Sequence, residues 1–413
     1  LGKINIVNTT SASVNPSTKA VSDREASATS LKDKPSRLLS LDLLRGLDIG
    51  FMILVNDNAD DRAYWPLKHA EWNGFTPTDL VFPTFLFLVG ISTVLSLSSR
   101  LAQGVTKTKL LVHVFRRAAM LYLLGLVVNS FPFFHLATMR FYGVLPRIAI
   151  CYLLVAIFYL ISPGWKSKAV VATTALVGYW ILMRFVPVPG YGVPTHGVQI
   201  LDPDGNLTAW IDRQLFSAPH LYERTRDPEG LLSTIPAVGT ALLGMITGIW
   251  LRSSHSLKRK ANGIAIAGVS SVLLGGLWNM SFPINKKLWT SSFVLFAGGF
   301  SLLLLAASIW LIDVPGSEES KSKRSRRSPV FTPLLVFGTN AIAAYALSEL
   351  LASGLPNVHI KRGVDVLGAF YQLVLKVVPH DPALSSLIYS LSYVLMCWIP
   401  IYILYRRKIF IKI

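Results

Sequence analysis

The sequence predicts an all-α polytopic membrane protein, a bundle of about ten transmembrane helices with both termini cytoplasmic. Three observations predict it. Hydrophobic residues make up 52% of the chain and charged residues only 15%. Charge-free runs such as LLVAIFYLI and SSFVLFAGGFSLLLLAASIWLI recur along its length, and runs of that kind read as membrane spans rather than soluble core helices. Lys and Arg alternate in abundance from one connection to the next, as they do where cytoplasmic loops retain positive charge.

Taken in order, residues 1–36 are polar, rich in Ser and Thr, and lack the apolar core of a secretory signal. They read as a disordered tail, leaving 37–413 as the membrane domain. Spans are expected near 38–56, 79–97, 110–129, 143–162, 168–187, 232–251, 263–281, 288–312, 331–354 and 386–405. The first is the least apolar, because it carries Asp42, Arg45 and Asp48. Their spacing of i, i+3, i+6 puts them on one helical stripe. Charges inside a bilayer are costly and turn toward protein, so the stripe reads as an ion cluster locking this helix into the bundle, with direct ligand contact as the alternative. Cys151 and Cys397 lie inside apolar runs and read as packing residues.

The net charge of +18 would suggest nucleic acid in a soluble chain. Here it fits cytoplasmic loops instead, and no nucleic-acid partner is expected. With the amino terminus inside, residues 1–37 and the segments at 98–117, 163–168, 252–260, 313–330 and 406–413 hold 26 of the 40 Lys and Arg residues. The run KSKRSRR (321–327) reads as an orientation signal that also attracts anionic lipid. The far side carries two long connections, 188–231 and 355–385, rich in Pro, Gly and His. Long loops in compact proteins are often functional. No half-to-half symmetry is visible, which weakens a transporter built on inverted repeats.

Chemistry concentrates in YWPLKHAEWNGFTPTDLVFPTFLFLVG, residues 64–90. His69 falls in the short connection after the first span, Asp79 starts the second, and Asn56 ends the first. Trp65, Trp72 and Phe75 flank the histidine, and single interfacial aromatics are common membrane anchors. Convergence of Asn56, Asn73 and Asp79 on one membrane face makes His69 a candidate general base. A carboxylate beside it fixes its tautomer, and an amide donates to a developing oxyanion.

The stretch RLLSLDLLRGLDIGFMILVN followed by the 64–90 segment resembles the transmembrane heparan-α-glucosaminide N-acetyltransferase family, as do DPEGLLSTIPAVGTALLGMITG (227–248), FPINKKLWTSSFVL (282–295) and FGTNAIAAYALSE (337–349). The resemblance covers nearly all of 37–405 and is to a shorter, prokaryote-type form, since the lysosomal members add a luminal region and a span. It implies a bacterial inner-membrane enzyme that moves an acetyl group from cytosolic acetyl-CoA to an amino sugar or envelope glycan across the membrane. It also implies His69 as the active histidine, Asn56 as its partner, a homodimer, membrane lipids as surroundings and no metal. Where the family follows that asparagine with a short glycine-rich stretch, this chain has DNADDRA.

On that reading His69 either deprotonates the acceptor amine directly or carries the acetyl group itself. Asn56 holds the thioester oxygen or orients His69. Asp79 supports His69 or pairs with Arg147, which lies near the same membrane face. CoA phosphates require positive charge or backbone donors. Arg45, Arg147, and PINKK (283–287) with Lys286 ahead of Trp289 are the candidates, and Asn340 in the ninth span is a candidate contact for the pantetheine amides. PINKK, with Pro283 as a helix-start proline, also reads as an outer turn with interfacial Lys and Trp, and Asn340 as interhelical glue. DPEG (227–230) reads first as a cap opening the sixth span, with Pro228 at the helix start and Glu229 near the positive dipole end. Two other classes compete: a transporter or flippase of a lipid-linked sugar, and a non-catalytic scaffold.

Overall fold

The computed structural model describes residues 38–59, 62–194, 202–314, 330–361, 363–378 and 380–411. The polar tail, the basic run 321–327 and part of the 188–231 connection lie outside the described residues. From Leu39 onward the chain forms one compact, almost entirely helical unit. Its helices are α1 Leu39–Asn56, α2 Val81–Ala102, α3 Lys107–Ser130, α4 Val144–Ile161, α5 Trp165–Phe185, α6 Leu207–Leu215, α7 Thr234–Leu251, α8 Leu257–Trp278, α9 Ser291–Ser308, α10 Thr332–Thr339, α11 Ala341–Gly354, α12 Val366–Val377 and α13 Pro382–Arg406. A two-stranded hairpin, β1 His359–Lys361 and β2 Val364–Asp365, precedes α12. Among the described residues eight helices are long and apolar enough to cross a membrane, and the α10–α11 pair makes a ninth if taken as one span. Helix α1 has a span's length, but its three charges set it apart.

Burial separates the centre of the bundle from its rim. The apolar stretches of α2 and α7 are 72% and 67% buried in protein, and that of α4 61%; those of α3, α5, α8 and α13 are only 28% buried. The first three form the core, and the other four present their apolar faces outward, as lipid-facing helices do. Glycine lets the two central helices meet. A Cβ on Gly244 would stand 2.0 Å from the Phe87 carbonyl oxygen, and one on Gly90 2.0 Å from that of Ala241. This backbone-to-backbone approach is the small-residue packing that joins helices in lipid.

The charged stripe of α1 is compensated locally. Arg45 lies 3.4 Å from Asp42 and donates to Ser92 Oγ on α2 (2.8 Å) and the Gly338 carbonyl on α10 (3.5 Å). Asp48 is buried as well. Both cysteines are free and fully buried.

Three expectations are corrected. The span expected at 331–354 is broken at Asn340, where α10 and α11 meet at 86°. The break is held from far along the chain: the Asn340 side chain donates to the Ile409 carbonyl (3.2 Å) and accepts from the Ile411 amide (2.9 Å). DPEG does not cap α7, which begins at Thr234; Asp227 and Glu229 bind Arg140 instead, because a half-buried guanidinium is a stronger partner than a helix end. Pro283 does not open a helix either. PINKK is an ordered turn, and α9 starts at Ser291 with Thr290 as its cap. The two long connections also contain structure of their own, α6 in one and the hairpin with α12 in the other.

Candidate active site

The ends of α1, α2, α4, α7, α9 and α11 that lie on one side of the bundle bring together nearly all of its ion pairs. His69 stands in the connection between α1 and α2, which is pinned on both flanks. Thr76 Oγ1 donates to the Lys68 carbonyl (2.6 Å), and Thr78 Oγ1 to that of Pro66 (3.0 Å). Phe75 anchors the connection against Phe296 and Phe300 of α9. Asp79 closes it. Its Oδ2 accepts from the Ala70 and Thr76 amides (both 3.1 Å), with Thr76 Oγ1 beside it at 3.1 Å. Its Oδ1 lies 2.8 Å from His69 Nδ1. Asp79 is 1% exposed, whereas the His69 side chain keeps 41% of its surface open, so the imidazole lines a recess and its carboxylate partner sits beneath.

A carboxylate only accepts, so the Nδ1–H of His69 points at Asp79 and Nε2 carries the free lone pair. Lys286 is the second neighbour. Its Nζ lies 3.0 Å from Nδ1, 3.2 Å from Nε2 and 3.7 Å from Asp79 Oδ1. Burial lowers the basicity of His69 most, and the Lys286 and Lys287 ammoniums add to it. Together they outweigh the Asp79 contact and leave the imidazole below its ordinary value of 6.5. Lys286 is itself lowered by burial, against the attraction of Asp79 and Glu229.

The PINKK turn holds Lys286 rigidly. Asn285 is fully buried; its side chain accepts from the Leu288 amide (2.8 Å) and donates to Asn73 (3.2 Å), and Gly74 N donates to the Ile284 carbonyl (2.9 Å). The turn and the histidine connection are therefore stapled directly to each other. Trp289, expected at an interface, is 1% exposed; its Nε1–H donates to Thr240 (3.1 Å), and the Arg147 guanidinium lies 5.3 Å from its ring.

Around this centre lies a charged girdle. Arg140 grips Asp227 and Glu229, and Asn129 at the end of α3 holds the Arg140 and Tyr142 carbonyls (3.0 and 2.6 Å). Burial works to raise Glu229, but Arg140 and Arg147 hold it below the usual carboxylate range. Asp212, in α6, is pushed up to about 7 by burial and by Asp227. Lys287 pairs with Glu223 (3.0 Å) and, with Arg226, flanks the ring of Trp72.

The structure thus joins His69, Asp79 and Lys286. Of the two partners expected for Asp79, it has the histidine. Arg147, also buried, instead donates to the Gly230 carbonyl (3.0 Å) and to Ser233. Asn56 does not hydrogen-bond His69; its amide donates to Glu349 on α11 (3.4 Å). Beside it, burial and the Glu349 charge push Asp57 up to about 8. Arg45 lies with α10, and Asn340 at the helix break, each with the partners given above. Sequence reasoning missed Arg140 and Glu349. The signal for Glu349 was present: it is a lone carboxylate in an apolar run, which in a membrane chain marks a polar interior.

The opposite end of the bundle differs in charge. Residues 80–201 and 230–312 contain no Asp or Glu. Arg100, Arg116, Arg117, Lys168 and Arg252 gather there, and none of them forms an ion pair among the described residues. Lys168 is fully buried with its ammonium over the Phe158 ring (4.4 Å) and no hydrogen-bond partner.

The chain is also similar to known proteins. Residues 37–282 match the sequence model of the family described as heparan-alpha-glucosaminide N-acetyltransferase, catalytic. The chain is 30% identical to human heparan-alpha-glucosaminide N-acetyltransferase over 434 aligned positions, covering 92% of this chain and 60% of the relative. To the mouse protein of the same name it is 29% identical over 436 positions, covering 92% and 61%. The chain thus spans about 60% of the length of these relatives. With more than half its length matched and its histidine–aspartate pair assembled at one end of a polytopic bundle, the chain belongs to the heparan-α-glucosaminide N-acetyltransferase catalytic family.

Proposed function

We propose that the protein transfers an acetyl group from acetyl-CoA to the amino group of an amino sugar or envelope glycan, across the membrane in which it sits. The observation that carries this reading is the Asp79–His69 pair, with Nε2 turned away from the carboxylate and burial and the lysine charges favouring the neutral imidazole. An amino sugar arrives protonated and cannot attack a thioester until it loses that proton. His69 Nε2 accepts it, and Asp79 stabilises the imidazolium that results. Asn56, held by Glu349, is the proposed second polar contact at this end.

The charge difference between the two ends supports the direction. The end rich in unpaired cations faces the cytoplasm, following the positive-inside bias, and offers its Arg and Lys side chains to the donor's phosphates. The His69 end then faces the acceptor. The membrane of this proposal is the inner membrane of a bacterium.

The test is reconstitution of the full chain in vesicles with labelled acetyl-CoA on one side and glucosamine on the other. Wild type is expected to acetylate the amine, and His69→Ala to lose transfer while keeping its elution profile and Tm. Equal transfer by both proteins would remove the histidine from the mechanism. Sugar movement without any acyl donor would replace acetyl transfer with transport.

A further inference from the structure

We propose that Lys286 is a second catalytic group of the His69 site, the fixed cation that receives the thioester oxygen as its carbon becomes tetrahedral. The inference rests on the acetyl-transfer reading and deepens it, because neither the family match nor the sequence pattern separates this lysine from its neighbour Lys287.

Lys286 Nζ is nearly equidistant from the two ring nitrogens, at 3.0 and 3.2 Å. A point so close to both cannot lie along either in-plane lone pair without striking the carbon between them. The ammonium therefore sits over the face of the imidazole and leaves the Nε2 lone pair open in the ring plane. An amine handing its proton to Nε2 must come within hydrogen-bond reach of it, about 3 Å, and the carbonyl carbon it attacks must be in contact with that amine. Since Nζ is itself 3.2 Å from Nε2, the carbonyl oxygen falls within reach of the ammonium. Asn56 directs its amide at Glu349 instead.

Rigidity is the second part. A donor is most effective when it is already aimed and needs no reorganisation during reaction. Asn285, Thr290 and Gly74 lock the PINKK turn from both sides, and Asp79 and Glu229 hold the ammonium by charge. Lys287, one residue on, is drawn away to Glu223. This distinguishes the two lysines of the motif.

The step balances as follows. The acceptor nitrogen bonds to the carbonyl carbon while its proton passes to His69 Nε2. Lys286 donates a hydrogen bond to the oxygen that gains charge. The carbon–sulfur bond then breaks, His69 returns the ammonium proton to the leaving thiolate, and the nitrogen releases its second proton to water, giving CoA-SH and the amide. Lys286 stays protonated throughout.

The experiment compares full-chain wild type, Lys286→Met, Lys286→Arg and Lys286→Gln in the acetyl-transfer assay. It also follows His69 directly, by the pH dependence of its modification with diethyl pyrocarbonate read by mass spectrometry. The charged groups facing His69 are Asp79, Lys286 and Lys287, so removing the Lys286 charge moves the modification midpoint to higher pH. Lys286→Met is expected to lower kcat by about 10²–10³, the effect of losing one oxyanion donor, with little change in donor KM and substantial recovery in Lys286→Arg. Wild-type kcat in Lys286→Met overturns the inference. So does a loss confined to donor KM, which would make Lys286 a phosphate contact. If Lys286→Met does not fold, the order of Lys286→Gln and Lys286→Arg decides, and Gln equal to Arg overturns it. If wild type transfers nothing, the acetyl-transfer reading fails first, and an unmoved His69 midpoint would overturn the Lys286 contact independently.

Discussion

Replacing Asp79 by Asn tests the core of the site, because the surrounding hydrogen bonds dictate how the amide must sit. Two backbone amides, Ala70 and Thr76, point at Oδ2 at 3.1 Å. Both are donors, so the asparagine must keep its carbonyl oxygen there. Its NH₂ is then forced into the Oδ1 position, 2.8 Å from His69 Nδ1. Two N–H groups cannot face each other, so the imidazole proton moves to Nε2 and the base is lost. The same swap in a serine-protease triad costs about 10⁴ in kcat through the wrong tautomer. Here the recess is more open, with 41% of the imidazole side chain exposed, and the ring has more room to turn. We expect a loss of about 10²–10⁴, or about 3 to 5 kcal/mol in the barrier. The assay is acetyl transfer by purified protein at matched folded concentration, with imidazole ¹⁵N shifts reporting the tautomer. Asp79→Asn within a few fold of wild type, or an unchanged tautomer, would refute the reasoning.

The pH profile of kcat/KM should fall on the acid side with a midpoint below 6.5, because His69 is lowered from that value and must be neutral to accept a proton; a midpoint above it contradicts the burial and lysine effects. Asn340→Leu removes both side-chain hydrogen bonds to the 409–411 segment and should cost about 1–3 kcal/mol of stability, read as a lower Tm in detergent. Donor KM should hold, since the amide is engaged by backbone; a selective rise in donor KM would instead make Asn340 a pantetheine contact. Gly244→Ala puts a methyl 2.0 Å from the Phe87 carbonyl, and the overpacking should cost about 1–3 kcal/mol; an unchanged Tm would mean that α2 and α7 can separate freely.

How much of this was legible in the sequence depended on distance along the chain. The spans were visible because apolar runs declare themselves locally. The His69–Asp79 pair was visible because ten residues separate its members and both belong to one conspicuous segment. Lys286 could be flagged as a cation but not seated, since 217 residues lie between it and the histidine. The break at Asn340 carries no proline, and the residues that hold it follow by 69 and 71 positions. Glu229 was read as a cap because DPEG looks like one locally; Arg140, 89 residues earlier, decided otherwise.

The stapling of the PINKK turn onto the histidine connection bears on how the protein is made. His69 and Asp79 leave the ribosome early, but Asn285 and Lys286 follow only after several further helices have entered the bilayer. Until then the nascent chain carries a histidine recess without its cation. On the proposed reading, acetyl transfer begins only near the end of biogenesis. A protein cut between α7 and α8 and expressed as two pieces should be silent in each piece, with turnover returning when they reassemble.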